Sequence, residues 1–576
     1  MSRNAEVAAL LEAIATALEL EPGNLFRVRA YQEAARSVGF LGEDIGEMHR
    51  QGRLLEIRGV GQSIAAKIAE FLDTGRSSYL ERICKGFPPA VLQLTRVPGL
   101  GPRRAKLLFE KLGIMTLSDL REAAEAHRIC GLRGMGERTE EQIRKELARL
   151  TRRSRRHPLC LAWPLADRIS AQLRASPGVI AAEAAGSIRR RQEDVGDVDI
   201  LVASDDPAGV REAVMLLPTA RDLLAAGATK ISFLTAEDIQ VDVRVVPTRS
   251  WGAALQYFTG SKAHNIALRE RAIKLGYKLS EYGVFDADSG EWAGGLDEAE
   301  VYHLLGLDWI PPELRENRGE IEAAEAGSLP RLLAEEDVRG DLHVHSKYSD
   351  GEDTLAAMAE AARERGYRYM AITDHSAGLG IAQGLTPEKA RRQWEEILAL
   401  NRRLAPFRIL RGVELEIRAS GQLDLAPDIL AGFEYATASL HLGTRMSAER
   451  LTGRMVAALA SPWFRGLNHP TGRLLGRRPA YDFDLGAVLA AARAHGKTLE
   501  INGAGDRLDL GDRAARQARD LGVKLSLGSD AHSVGGLDGM RLAVAIARRA
   551  WCRAEDVINT RDVADLVAAS SDILGP

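Results

Sequence analysis

The chain has 576 residues, which is long for one hydrophobic core and predicts roughly three or four domains. Its hydrophobic content of 45% and charged content of 27% are ordinary for a soluble globular protein and argue against a disordered or membrane-embedded chain. The net charge of -3 conceals an asymmetry, because residues 1–156 carry 27 Lys and Arg against 20 Asp and Glu. The excess of positive charge in this part indicates a polyanionic partner.

Cysteine spacing and hydropathy indicate the compartment. The four cysteines show no paired spacing, so neither a disulfide framework nor a zinc knuckle is indicated, which fits a reducing cytosol. No stretch reaches about 18 apolar residues, and the polar start of the chain lacks the apolar core of a signal peptide. We therefore expect a cytoplasmic protein without a membrane partner.

The first 150 residues are predicted to form short helices joined by glycine-rich turns. Three such turns, at 57–61, 97–101 and 132–136, each end one helix and begin another, and they resemble the helix-hairpin-helix motif. Glycine permits a tight turn, so that backbone amides of the following helix can bind a DNA phosphate without reading base sequence. The glycines concerned are Gly59, Gly61, Gly99, Gly101, Gly134 and Gly136. Plain helix connections are the alternative for any one turn, but three similar turns favour DNA binding. The basic run 152–156 fits either a solvated linker or a backbone contact.

Two strand patterns in the middle of the chain bring carboxylates together. Asp197 and Asp199 share one face of an apparent strand, and Asp242 lies in a second strand at 239–246. Two carboxylates on one face repel each other unless a cation binds both. Three aspartates on adjacent strands would hold the two divalent cations that nucleotidyl transfer requires. Exposed surface aspartates are the alternative for either run alone.

Residues 1–315 resemble a family X DNA polymerase, the group that includes DNA polymerase beta. The resemblance implies that Asp197, Asp199 and Asp242 are catalytic and hold two Mg²⁺ or Mn²⁺ ions. It also implies gapped or primer-template DNA and dNTPs as partners. The implied nucleotide-binding residues are Ser187, Arg190, Gly196, Tyr257, Phe258, Gly260 and Asn265, with Arg269 as a template contact. Lys262 is expected to bind the triphosphate because of its charge, and Arg191 departs from the glycine of the beta enzyme.

The same resemblance suggests an activity other than nucleotidyl transfer. Alignment on the first hairpin places Lys67 where polymerase beta has the Schiff-base lysine that removes 5′-deoxyribose phosphate, and Tyr31 also matches. Ser63 and Arg27, however, replace lysines that would bind the 5′-phosphate. A solvated helix residue or a simple phosphate contact is the alternative for Lys67.

Nine metal-capable side chains follow apolar runs in the last two-fifths of the chain. Strand alternation in 341–345 directs His343 and His345 to one face. Other members follow the apolar runs 369–373 and 523–528, and active-site residues of β/α barrels lie at such strand ends. The nine are His343, His345, Asp350, His375, Glu414, His441, His469, Asp530 and His532. Each histidine alone has an ordinary structural alternative, but the complete set predicts a metal cluster.

The order of these nine residues resembles the polymerase and histidinol phosphatase (PHP) phosphoesterases over residues 339–576. That family consists of distorted β/α barrels, and the resemblance implies two or three divalent ions and phosphoester hydrolysis. Mixed imidazole and carboxylate ligation suits Zn²⁺, Mn²⁺ or Fe, whereas pure Mg²⁺ sites prefer oxygen ligands, and we expect Mn²⁺ or Zn²⁺. Together the two resemblances match the bacterial family X polymerases that carry a C-terminal PHP domain.

The expected fold is multidomain, with a helical helix-hairpin-helix region, an α+β nucleotidyltransferase palm and a C-terminal distorted β/α barrel. The expected boundaries are 1–85 for an N-terminal helical domain, 86–155 for a DNA-binding subdomain with two further hairpins, 156–245 for the palm, 246–315 for a nucleotide-selecting subdomain, 316–338 for a linker and 339–576 for the PHP domain.

We expect a monomeric DNA repair polymerase that fills short gaps, with a barrel acting as a 3′–5′ exonuclease or phosphoesterase on DNA ends. Cleavage at abasic sites is a further option for the barrel. The alternatives are a DNA-end-binding polymerase whose barrel is structural, and one whose barrel hydrolyses a small phosphate ester.

Overall fold

The computed structural model describes residues 3–19, 25–39, 41, 44–84, 87–97, 100–132, 134–154 and 156–571. The chain forms two compact units, residues 1–155 and residues 156–576. Within the described residues, no helix has the length and apolar character needed to cross a membrane.

The first unit is helical throughout its described part. Its helices are α1 (Arg3–Leu18), α2 (Leu25–Gly39), α3 (Ile45–Arg50), α4 (Gln62–Thr74), α5 (Ser78–Ile83), α6 (Pro102–Leu112), α7 (Leu117–Glu125) and α8 (Glu137–Ser154). Short 3₁₀ turns lie at Leu54–Glu56 and Pro89–Arg96. Leu11, Ile14 and Leu18 are spaced by three and four residues, so they line one face of α1 and are buried against Ile68 of α4 in a single core.

The second unit begins with a palm built on a five-stranded sheet of order β2-β4-β7-β6-β5. Its elements are β1 (His157–Pro158), α9 (Leu159–Arg174), β2 (Ala181–Ala184), α10 (Gly186–Arg189), β3 (Asp194–Val195), β4 (Val198–Ala203), α11 (Pro207–Met215), β5 (Asp222–Ala226), β6 (Lys230–Leu234) and β7 (Gln240–Val246). Strands β4 and β7 are parallel, and their register pairs Asp199 with Asp242. The sheet thus brings together carboxylates that are far apart in the sequence.

A smaller α/β region follows the palm. It contains α12 (Trp251–Thr259), α13 (Lys262–Lys274), β8 (Tyr277–Ser280), β9 (Gly283–Asp286), β10 (Trp292–Gly294) and α14 (Glu298–Leu304), with short 3₁₀ turns at Thr248–Ser250 and Pro312–Leu314. The three strands form an antiparallel sheet of order β10-β9-β8.

The segment 316–338, which we predicted to be a linker, is packed against its neighbours. It contains α15 (Glu320–Glu325) and a 3₁₀ turn at Glu335–Asp337. Ile321 and Leu332 are buried in one core with Tyr302 of α14 and Trp551 near the end of the chain. The segment therefore joins the regions on either side of it through a shared apolar core.

The C-terminal region is a parallel barrel of seven strands in sequence order. The strands are β11 (Gly340–Val344), β12 (Tyr369–Ile372), β13 (Arg408–Glu416), β14 (Tyr435–Ser439), β15 (Gly466–Leu467), β16 (Thr498–Asn502) and β17 (Leu525–Gly528). The helices are α16 (Leu355–Glu364), α17 (Pro387–Leu404), α18 (Pro427–Leu430), α19 (Ala448–Leu459), α20 (Leu485–Ala494), α21 (Asp512–Asp520), α22 (Gly539–Arg549) and α23 (Val563–Ser571), and 3₁₀ turns lie at Gly380–Ala382, Val534–Asp538, Ala554–Asp556 and Ile558–Thr560. A bridge between Val344 and Ala531 brings the last strand back to the first. This nearly closed barrel confirms the fold class predicted from the sequence.

Candidate active sites

The palm brings three carboxylates together at one end of β4 and β7. Asp197, Asp199 and Asp242 each offer an oxygen, and these oxygens lie within 4.8 Å of one another. Sequence analysis missed Lys230 of β6, whose Nζ lies 2.7 Å from Oδ2 of Asp242. Gln240 donates a hydrogen bond of 2.9 Å to the other carboxylate oxygen of Asp242. The register between β6 and β7 places Lys230 here, and no short motif encodes that register.

The negative charges of the three carboxylates repel one another when no cation is bound. Burial, followed by the charges of Asp197 and Asp242, raises the pKa of Asp199 to about 7. Burial also opposes ionisation of Asp242, but hydrogen bonds from Lys230 and other neighbours outweigh it and lower the pKa of that carboxyl. A divalent cation would relieve the repulsion, and an all-oxygen set of side chains fits Mg²⁺ or Mn²⁺.

The predicted triphosphate residues lie in two adjoining turns. Ser187 lies in α10 and Gly196 directly precedes Asp197. Nη1 of Arg190 donates to the carbonyl oxygen of Thr259 at 2.5 Å, which joins the first turn to the one at Gly260. A Cβ at Gly260 would meet the Arg190 guanidinium at 3.2 Å, so glycine permits this close approach.

The remaining predicted nucleotide contacts lie on α12 and α13. Asn265 donates a 2.7 Å hydrogen bond to the carbonyl oxygen of Tyr257, which fixes its amide. Phe258 packs edge-on against Tyr257, and the Arg269 guanidinium lies 5.7 Å from the Tyr257 ring centroid. Lys262 is exposed at the start of α13. Asn265, Phe258 and Arg269 therefore lie close to Tyr257, and Asn265 is buried.

Arg191, the departure from the beta-enzyme pattern, has a positive φ of 55°. Glycine adopts this conformation most readily, whereas a residue with a Cβ adopts it at a steric cost. The Arg191 guanidinium lies 3.5 Å from the ring centroid of Trp163 in α9, and burial lowers its pKa to about 10. Arg541 of α22 approaches the same ring at 3.8 Å. Arg191 therefore takes part in packing between the palm and the barrel.

All nine predicted barrel ligands meet at the carboxyl ends of the strands. They form four overlapping groups, His345-Asp350-His375-His532, His343-His469-Asp530, His343-His345-Glu414 and His375-Glu414-His441, each with ligand atoms within 4.8 Å of one another. Glu414 lies at the centre. Its Oε2 is 3.0 Å from Nδ1 of His375 and 3.3 Å from Nε2 of His343, and its Oε1 is 3.0 Å from Nε2 of His469.

Several ligand atoms in the barrel are buried without a hydrogen-bond partner among the described residues. These atoms are Nε2 of His343, both ring nitrogens of His345 and Oε2 of Glu414. Burial, followed by the charge of His375, lowers the pKa of His345 to about 3, so its ring is neutral near pH 7. Buried polar atoms are normally satisfied, and neutral imidazole is the form that binds metal. The donor set therefore fits a cluster of divalent cations with mixed nitrogen and oxygen ligation.

Two carboxylates that sequence analysis missed hold the histidine rings in place. Oε1 of Glu500 in β16 lies 2.6 Å from Nδ1 of His343, and Oε2 of Glu416 lies 2.9 Å from Nδ1 of His441. Such pairs fix the ring orientation and leave Nε2 for the metal. Strand alternation could have identified Glu416, because it follows Glu414 by two positions on the same strand and so lies on the same face.

The hairpin glycines have the expected local geometry where they are described. Gly59 and Gly134 have φ values of 79° and 83°. Helices α4 and α6 begin directly after Gly61 and Gly101, and α8 begins directly after Gly136. Gly99 lies outside the described residues. Both glycines therefore lie within the described residues in two of the three turns, at 57–61 and 132–136.

Lys67 lies in a cationic environment beside Tyr79. Its Nζ donates to the carbonyl oxygen of Ser63 at 2.7 Å and lies 4.6 Å from the Tyr79 ring centroid. Arg27 and Arg82 approach the same ring, at 5.9 and 5.2 Å. Burial and then the charges of Arg27 and Arg82 lower the pKa of Lys67.

Comparison with protein families agrees with this architecture. The chain matches a helix-hairpin-helix domain at 2–77, a SAM-like helix-hairpin-helix tandem at 91–149, the DNA polymerase beta thumb at 254–316 and a PHP domain at 341–477.

Similar proteins include polymerases and phosphatases. The DNA polymerase/3′-5′ exonuclease PolX of Bacillus subtilis (strain 168) is 37% identical over 565 residues, 98% of each chain. DNA polymerase lambda of Rattus norvegicus is 25% identical over 346 residues, 54% of this chain and 56% of its own. A probable phosphatase of Thermoanaerobacter sp. (strain X514) is 28% identical over 232 residues, 38% of this chain and 89% of its own.

Fold and sites thus define a polymerase of the beta type joined to a PHP barrel. With the full-length similarity to PolX, the chain belongs to the bacterial, PHP-containing branch of family X DNA polymerases. This confirms the family resemblance seen in the sequence.

The raised pKa of Asp199 predicts a pH-dependent effect on stability. A carboxyl with a raised folded-state pKa contributes stability that is fully present below its unfolded value of about 3.9 and is lost as pH rises towards 7. Asp199→Asn should therefore raise the Tm of metal-free protein at pH 8, and the gain should shrink towards pH 5. We expect the Tm to rise by a few degrees, because a gain of about 1 kcal/mol in the free energy of unfolding raises the Tm by roughly 2–4 °C.

The measurement is the Tm against pH in chelating buffer. Asp288→Asn, on an exposed turn, is the matched control and should change the Tm little at either pH. A gain for Asp199→Asn that is equal at pH 5 and pH 8 would contradict the electrostatic explanation.

Proposed function

We propose that this protein is a DNA repair enzyme that extends a primer in gapped DNA at the palm and hydrolyses phosphodiesters at 3′ ends in the barrel. The observation that carries the proposal is that one chain holds two separate clusters of ligands, one of carboxylates and one mainly of imidazoles. The hairpin turns of the first unit would bind the phosphates of the same DNA.

At the palm, Asp197, Asp199 and Asp242 would hold two Mg²⁺ or Mn²⁺ ions. Such ions, when bound, activate the primer hydroxyl and neutralise charge on the triphosphate. Arg190 would bind the triphosphate, with its guanidinium already oriented by the Thr259 carbonyl and by Glu316. Ser187, Gly196 and Lys262 would complete the triphosphate contacts, Tyr257, Phe258, Gly260 and Asn265 would contact the nucleoside, and Arg269 would contact the template.

In the barrel, the nine ligands would hold two or three divalent ions, with Mn²⁺ or Zn²⁺ favoured by the imidazole content. Bound ions of this kind lower the pKa of a water molecule and so supply hydroxide near neutral pH. Glu500 and Glu416 keep the rings of His343 and His441 in the orientation that ligation needs. The burial of these ligand atoms without well-formed hydrogen bonds favours this role over a purely structural barrel, because bound cations would offset their desolvation.

Lys67 supports a second candidate activity, removal of 5′-deoxyribose phosphate. Its lowered pKa increases the neutral fraction of the amine, and Arg27 and Arg82 offer charge for a 5′-phosphate. The amine would attack C1′ of the sugar aldehyde and release water to form a Schiff base.

We predict that borohydride traps a covalent adduct between the protein and incised abasic DNA, because reduction makes the Schiff base stable. Lys67→Ala should abolish the adduct, whereas Lys111→Ala, an exposed lysine of α6, should retain it. An undiminished adduct in Lys67→Ala would assign Lys67 a different role.

For the palm, Asp197→Asn combined with Asp199→Asn should abolish nucleotide addition, since the remaining carboxylate cannot hold two cations. The assay follows 5′-labelled gapped DNA with dNTPs and Mg²⁺ or Mn²⁺, with Asp288→Asn as the control. Hydrolysis at the barrel should persist, and extension by the double variant at the parent rate would refute the assignment.

For the barrel, His343→Ala combined with His345→Ala should abolish shortening of 5′-labelled DNA, because metal occupancy and the lowered pKa of water vanish together. The reaction is followed in chelated, Mn²⁺ and Zn²⁺ buffers, and bound metal is measured by elemental analysis. His495→Ala, exposed at the end of α20, is the control. If the parent protein shortens no DNA and releases no 3′-phosphate in any metal, the barrel is structural or acts on another ester.

A further inference from the structure

A cavity of about 1120 Å³ opens beside the barrel cluster. Its wall includes the ligands Asp530 and His532, and it extends to Cys160 and Trp163 of palm helix α9. The volume exceeds the range of about 300–1,000 Å³ that is usual for small-molecule pockets. The cavity can therefore accept more than a small phosphate ester.

Several glycines line this cavity, among them Gly503, Gly505, Gly535 and Gly536. Cβ atoms at Gly503 and Gly505 would meet protein atoms at 2.1 and 2.5 Å, so these two glycines permit close packing within the protein. A Cβ at Gly535 would meet no atom within 4 Å, so this wall faces open space.

Arg507 brings positive charge to the point where the cavity meets the cluster. Its Nε lies 3.5 Å from Oδ2 of Asp530, and its side chain is 20% exposed. Two other arginines line the cavity, but Arg365 pairs with Asp538 at 2.9 Å and Arg541 pairs with Asp167 at 3.0 Å. Arg507 differs in contacting a proposed metal ligand. Once cations share the charge of Asp530, the guanidinium gains the capacity to bind another anion.

The loop that carries Arg507 is held firmly. Nε of Arg473 donates to the carbonyl oxygen of Arg507 at 3.1 Å, and Nη2 of Arg473 lies 2.7 Å from Glu193 of the palm. The next residue, Leu508, has a positive φ of 47°, which is strained for a branched side chain. Cys160 contacts the carbonyl oxygen of Gly505 at 3.5 Å. Palm and barrel together thus hold the backbone of the loop from which Arg507 extends.

We propose that this cavity binds the terminal nucleotides of a DNA strand and that Arg507 binds the phosphodiester being hydrolysed. The inference rests on the proposed hydrolytic function of the barrel. A guanidinium presents two parallel N–H groups to phosphate oxygens, and it stabilises the charge that accumulates on them during attack.

The reaction is an ordinary hydrolysis in its atom balance. A water molecule gives up one proton to solvent, its oxygen forms a bond to phosphorus, and the bond between phosphorus and the 3′ oxygen of the preceding nucleotide breaks. That oxygen takes a proton from solvent, and a nucleoside 5′-monophosphate leaves through the cavity.

The test compares Arg507→Ala, Arg507→Lys and the exposed control Arg513→Ala on a 5′-labelled single-stranded oligonucleotide in Mn²⁺. We expect kcat/KM to fall by about 100-fold for Arg507→Ala, the usual loss for one charge-stabilising donor. Arg507→Lys should recover part of the activity, because lysine keeps the positive charge but lacks the two parallel N–H groups of the guanidinium. Bound metal per chain and primer extension should match the parent protein.

A second variant tests the cavity itself. Gly535→Phe should raise KM for the oligonucleotide at least tenfold, with unchanged metal content and extension, because the ring occupies space meant for nucleotides.

The outcomes separate this inference from the function beneath it. If the parent protein degrades no DNA, both the inference about Arg507 and the proposed hydrolytic function of the barrel fail. If the parent protein degrades DNA and the Arg507→Ala and Gly535→Phe variants have unchanged kinetics, only the inference is overturned. Loss of metal from Arg507→Ala would also overturn it, because Arg507 would then serve to hold Asp530 in place.

Discussion

A buried network of guanidinium and carboxylate groups fixes the palm against the barrel. Glu316 accepts hydrogen bonds from Arg190 of the nucleotide-binding turn at 3.0 Å and from Arg549 of barrel helix α22 at 3.2 Å. Arg549 also donates to the carbonyl oxygen of Arg190 at 2.6 Å and pairs with Asp512 at 2.7 Å. Removing one partner of a buried pair typically costs about 3–5 kcal/mol. The position of the nucleotide-binding arginine therefore depends on residues of the barrel.

Both ligand clusters arise from the register of parallel strands. In the palm, the pairing of Asp199 with Asp242 follows from the alignment of β4 and β7. In the barrel, the ligands follow the ends of successive strands, and Glu414 contacts rings from three of them. A slip of one residue in either sheet would send the ligand side chain to the opposite face, so register is under strong constraint.

The sequence predicted which ligand-capable side chains would come together, because alternation and apolar runs are local signals. It could not predict Lys230, Glu500 or Arg507, whose importance comes from distances to residues far away in the chain. The segment 316–338 illustrates the same limit. We expected a linker there, but its carboxylate Glu316 is paired with Arg549, which follows it by more than two hundred residues.

This pairing bears on any attempt to study the domains separately. A fragment starting at residue 339 would include all nine barrel ligands and would look complete by sequence. It would nevertheless carry Arg548 without its counterion Glu313, and Arg549 would keep Asp512 but lose Glu316, the second of its two carboxylate partners. A polymerase fragment ending near residue 315 would likewise deprive Arg190 of its counterion Glu316. Isolated halves would therefore report on altered surfaces, and their separate activities need not add up to those of the intact enzyme.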